Sequence, residues 1–212
     1  MSEDEALIKK MEESAEVLTH LIETTIKDSE KRESLSAMFD KIGTNYLMSP
    51  ASRRESYHNS FYGGLFEHSM NVYGALLKAN EAFDLKFTDE EMLTVALLHD
   101  IGKCVAPNLE DPHYKDSEDW MKKKMKQAFE PDYDSGYFTN RDRTMFVLQH
   151  FKIKLTPQEW QSVLLNDGLI IDANRAYALK EYDLAYWTQV CDNWSTRCEN
   201  PQPHSNQIRK AG

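Results

Sequence analysis

Apolar residues in this chain recur at steps of three and four and nowhere alternate with polar ones over more than a few positions. Steps of three and four trace one face of a helix, whereas a half-buried strand needs a period of two. Met11, Ala15, Leu18, Ile22 and Ile26 form the first such stripe, Phe66, Met70, Tyr73 and Leu77 another, and Leu184, Trp187, Cys191, Trp194 and Cys198 the last. The pattern predicts an all-α fold without strands.

Helix boundaries are marked as well. Thr88 followed by Glu91 is a capping box, and the apolar run from Met92 to Leu98 behind it closes on His99 and Asp100 before Gly102. Thr139 with Asp142 opens another helix, and Thr156-Pro157-Gln158-Glu159 joins a capping box to a proline at the first helical position. A helix over Ser34 to Ile42 is expected to stop at Gly43, and residues 45–64, with Pro50, Arg53, Arg54 and the pair Gly63-Gly64, read as irregular. Residues 108–135 are acidic, contain Pro112 and Pro131, and read as an insertion or lid with a short helix near Trp120 to Phe129. No repeat or linker divides the chain. One domain over 1–212 is expected, with N-terminal helices in 1–44, a core in 45–199 and a polar tail in 200–212.

A chain of 212 residues can bury about 70% of its unfolded surface without a disulfide or structural metal. Cys104, Cys191 and Cys198 form no CxxC pair and read as free thiols. A net charge of -10 argues against binding duplex nucleic acid, which calls for a basic face. Small phosphate substrates stay compatible, because a divalent cation and a few local bases reverse the field within one pocket. No apolar run approaches the roughly 20 residues that cross a bilayer, and the start MSEDEALIKK is charged, so a cytoplasmic protein without membrane contact is expected.

Four ionisable residues lie beside apolar faces: His68 within the stripe of Phe66 and Met70, His99 and Asp100 at the end of an apolar helix, and Asp192 bordering the last stripe. An unpaired charge there is costly, and a shared metal removes the cost. Singly, each has a plainer reading, a histidine as a hydrogen-bonded core residue and Asp192 as a helix-surface acid. The adjacent pair in LLHDIGK shifts the balance toward a common site.

The order His68, then His99-Asp100 in LLHDIGK, then Asp192 resembles the signature of the HD superfamily. SPASRRESYHNSFYGGLFEHSMNVY is similar to the PAS, His, GGL and EHS segment of small bacterial and phage HD hydrolases, and the resemblance spans roughly Leu47 to Glu199. It implies an all-helical HD domain, one divalent metal (Mn, Co, Fe, Ni, Zn or Mg) held by His68, His99, Asp100 and Asp192, and a setting in a bacterial cell or phage-infected host. Relatives often carry further histidines for a second metal, where this chain has Asn140 and Asn166. Asparagine is a poor ligand for transition metals, which favours a mononuclear site. His150 lies between them, on a helix side chain that could face either way.

Lys103 stands where some HD nucleotidases place a glutamate, so it is read either as a phosphate contact beside the catalytic Asp100 or as a cap on its helix. Arg53 and His58 are the other expected substrate contacts. The implied activity is hydrolysis of a nucleotide phosphate ester, as in a 5′-nucleotidase or a deoxynucleoside triphosphate phosphohydrolase, with a small nucleotide as partner. A single-strand 3′ exonuclease and a non-catalytic nucleotide- or protein-binding module are the alternatives.

Overall fold

Every capping box read from the sequence starts a helix. The computed structural model describes residues 2–168 and 171–200, so the tail from 201 onward lies outside the described residues. The helices run α1 Glu3–Thr25, α2 Ser29–Met48, α3 Gly64–Phe83, α4 Asp89–Leu98, α5 Asp119–Met125, α6 Asn140–His150, α7 Pro157–Leu164 and α8 Asp183–Glu199. Thr88, Thr139 and Thr156 each accept a hydrogen bond from the backbone of the residue three later. The fold is all-α, as expected, and no helix among the described residues is long and apolar enough to cross a membrane.

Two expectations need correction. Helix α2 begins at Ser29, capped by the Asp28 side chain, and passes through Gly43 to Met48. A mid-helix glycine costs only about 1 kcal/mol. The buried face of Leu35, Met38, Ile42 and Tyr46 outweighs that, and the helix ends where Pro50 cannot donate a bond. The stretch 108–135 also holds strands: β1 Tyr114–Asp116 pairs antiparallel with β2 Phe129–Pro131, and α5 lies between them. Strands of three residues are too short to display alternation in a sequence.

This hairpin is docked on the irregular segment before α3. The Arg53 carbonyl accepts from the backbone N–H of Ala128 at 2.9 Å and of Phe129 at 3.1 Å. The Tyr62 hydroxyl donates to Asp116 at 2.6 Å, and its ring meets Phe129 edge-on at 5.1 Å.

Helix α4 is the centre of the molecule. All residues from Met92 to Leu98 are buried, packed between α1, α3, α7 and α8. Each large side chain so buried is worth about 1.5 to 3 kcal/mol, which fixes the position of the polar end of α4. Cys104 and Cys191 are buried and Cys198 exposed, all as free thiols.

Candidate metal centre

Three helices deliver the site. In α3 the chain enters through Gly63, at φ +85, and Gly64, where a Cβ would lie 2.1 Å from the Asn59 carbonyl oxygen. Only glycine fits both the left-handed turn and the close approach. The turn aims His68, one turn into α3, at the end of α4. His99 and Asp100 sit where α4 gives way to a 3-10 turn, Ile101–Lys103. A Cβ on Gly102 would stand 2.4 Å from the Asn140 carbonyl oxygen, so glycine lets α6 close over this turn. Helix α8 brings Asp192.

The donor atoms converge. His68 Nε2 lies 3.3 Å from His99 Nε2, 3.0 Å from Asp192 Oδ1 and 3.9 Å from Asp100 Oδ2. His99 Nε2 is 3.5 Å from the same Asp100 oxygen. The ligand-capable atoms of His68, His99 and Asp100 all lie within 4.8 Å of one another. Both imidazoles spend their other nitrogen: Nδ1 of His99 donates to the Ala96 carbonyl at 2.9 Å, and Nδ1 of His68 to Glu199 Oε2 at 2.9 Å.

These contacts fit a metal. With both Nδ1 atoms acting as donors, two neutral imidazoles point lone pairs at each other amid two carboxylates, an arrangement that calls for a positive charge at its middle. A transition ion with donor distances of about 2.0 to 2.3 Å sets adjacent ligands roughly 3 to 4 Å apart, the range found among His68, His99 and Asp100; Asp192 stands outside that group of three and meets it through His68, at 3.0 Å.

Without an ion, the same carboxylates favour a proton in its place. Burial pulls the His68 pKa down, but hydrogen bonds to Asp192 and Glu199 outweigh it and carry the value up to about 9. Burial would raise Asp100, yet the charges of Lys103, His99 and His68 hold its carboxyl well below the usual range. Asp192 is lowered too, its burial overcome by the bond to His68 and the nearby His99.

Asn140 and Asn166 act on Asp100 as donors. Their amides reach Asp100 Oδ1 at 3.0 and 3.3 Å, and Asn166 also donates to the His99 carbonyl at 2.8 Å. This leaves Oδ2 turned to the histidines. Lys103 Nζ lies 2.5 Å from Asp100 Oδ2, so the lysine sits at the cluster and not at the end of α4. The His58 ring lies tilted against the His68 ring, 4.8 Å away. Its buried Nε2 has no hydrogen-bond partner, and burial followed by the Lys103 charge lowers its pKa to about 4. Arg53 is exposed at the edge of the docked insertion. His150, exposed at the end of α6 and edge-on to Phe151, is not brought to the cluster.

Residues 65–179, more than half of the 212-residue chain, match the HD domain family. The chain belongs to the HD-domain family. No curated protein and no solved structure matches it. The match takes in His68, His99 and Asp100, whereas Asp192 of this HD domain lies beyond it. Members of this family are generally metal-dependent phosphohydrolases, and the His and Asp cluster is in place for that chemistry.

Three neighbours escaped the sequence reading of this HD domain. Glu199 stands seven residues after Asp192, a helical spacing that could have exposed it. Asp167 adjoins Asn166, and burial followed by the Asp100 charge raises its pKa. Tyr114 of β1 lies within the fields of Lys103, Arg143 and Asp100. A strand of three residues offered no signal for it.

Proposed function

We propose that the protein hydrolyses a phosphate ester of a small nucleotide, a nucleoside 5′-monophosphate or a deoxynucleoside triphosphate, using one divalent metal held by His68, His99, Asp100 and Asp192. The observation that carries this reading is the pair of Nε2 atoms facing each other at 3.3 Å between two aspartates. A bound ion of this kind supplies Lewis-acid polarisation of a phosphoryl oxygen and acidification of water. Asn140 and Asn166 keep the Asp100 carboxylate turned to the cluster. Lys103 Nζ, which lies on Asp100 Oδ2, would be placed to take a phosphate oxygen and stabilise developing charge once that oxygen held a cation. His58, neutral at working pH, orients the substrate through its unpartnered Nε2. Arg53 offers a planar pair of donors to phosphate at the rim.

One observation favours a second reading. Lys122, Lys123 and Lys124 end α5, and a backbone bridge from Arg54 to Gln127 joins this basic turn to the arginine segment. Such a strip suits the backbone of a short single strand, as a 3′ exonuclease would need.

The test is incubation of the protein with nucleoside mono-, di- and triphosphates and short single-stranded oligonucleotides, each with manganese, cobalt, magnesium or zinc. Phosphate release from the small nucleotides, dependent on added metal, is the expected outcome. Degradation of the oligonucleotide with small nucleotides untouched would establish the exonuclease, and no product from any substrate a binding module.

A further inference from the structure

Helix α8 presents two carboxylates to His68, and only Asp192 belongs to the ligand order read from the sequence. The other is Glu199, two turns further along the same helix face. Its Oε2 accepts from His68 Nδ1 at 2.9 Å, its Oε1 accepts from Asn71 Nδ2 at 2.7 Å, and its side chain is only 6% exposed. His68 and Asn71 are one turn apart on α3, so both oxygens of this carboxylate are occupied by donors from one face of one helix.

We propose that Glu199 is a positioning residue for the metal centre, holding His68 in the tautomer that carries its proton on Nδ1 and turns the Nε2 lone pair toward the cation. The inference rests on the proposed metal centre. A neutral imidazole with no acceptor at Nδ1 divides its proton between the two nitrogens, and the form protonated at Nε2 cannot bind a metal through that atom. A carboxylate at Nδ1 removes that form and raises the basicity of Nε2. Asn71 fixes the carboxylate in turn.

A simple staple between α8 and α3 would also use this bond, and one substitution separates the roles. In Glu199→Gln the side chain keeps its size but has one acceptor and one donor. With its oxygen on the Asn71 amide, its NH2 faces His68 Nδ1 and favours the wrong tautomer, and with the two amides flipped the carboxylate charge behind Nδ1 is still lost. In the N71D/E199Q pair, donor and acceptor at position 71 are exchanged, and the glutamine oxygen turns to His68 again.

The full chain, freed of metal, is titrated with Co2+ while its visible absorption reports binding, and thermal melting followed by circular dichroism reports the fold. E199Q is expected to weaken Co2+ binding about 10- to 100-fold, the range typical of lost partners behind a metal ligand, and N71D/E199Q to recover most of it. Should E199Q fail to fold, Glu199→Asp keeps the charge but falls one methylene short of His68, and is expected to weaken binding likewise. Co2+ affinity equal to wild type in the folded variant would overturn the positioning role and leave a staple. A wild-type chain that binds no Co2+ at all would overturn the metal centre itself, and with it this role.

Discussion

The imidazoles of His68 and His99 face each other through their Nε2 atoms at 3.3 Å, with both Nδ1 atoms engaged elsewhere. Two lone pairs in a buried site repel unless a cation or a proton stands between them. In the metal-free protein Asp192 and Glu199 favour a proton on His68. Metal and proton therefore compete for one position.

That competition sets the pH dependence. The pKa of His68 rises on folding from the ordinary 6.5 to about 9. A raised folded value contributes stability that is complete below pH 6.5 and lost as pH climbs through about 9. The metal-free chain should melt at progressively lower temperature across this window, and Co2+ affinity should increase about tenfold per pH unit within it, since one proton leaves as the metal enters. Calorimetry in buffers of differing ionisation heat checks this; affinity independent of pH, with no proton released, contradicts it.

Asp100→Ala should abolish metal binding and turnover together while the helical circular dichroism stays unchanged. Asp100 touches Lys103, Asn140 and Asn166 at once, yet the core is set by packing around Met92 to Leu98. Metal content by elemental analysis beside a turnover assay decides it. Retained metal with retained turnover would remove Asp100 from the site.

Much of this arrangement is legible in the sequence. The four residues His68, His99, Asp100 and Asp192 can be named because ionisable groups beside apolar faces stand in an order that resembles the HD signature, and three of them lie in the stretch that matches the family. Helix starts were legible because capping boxes are local. What escaped depends on contacts distant in sequence: Glu199 meets His68 across 131 residues, and Asn140 reaches Asp100 across 40. The asparagines were read by what they lack as ligands, whereas their amides orient the carboxylate. The end of α2 is not legible in the sequence because a local glycine signal gives way to tertiary packing.

Lys103→Ala should leave metal bound and raise KM for a nucleoside monophosphate, with a fall in kcat if the lysine also stabilises developing charge. The side chain touches Asp100 from outside the histidine pair and is 19% exposed. Steady-state kinetics beside metal analysis separates the two functions. Loss of the metal on this substitution would show that the lysine supports Asp100 and not the substrate.

The central claim is that four residues share one ion. Crystals of the protein soaked with Co2+, with anomalous scattering collected at the cobalt edge, test it most directly. The expected result is a single peak within about 2.0 to 2.3 Å of His68 Nε2, His99 Nε2 and carboxylate oxygens of Asp100 and Asp192. A second peak about 3.5 to 4 Å away would contradict the mononuclear reading, and no peak between the histidines would contradict the metal centre.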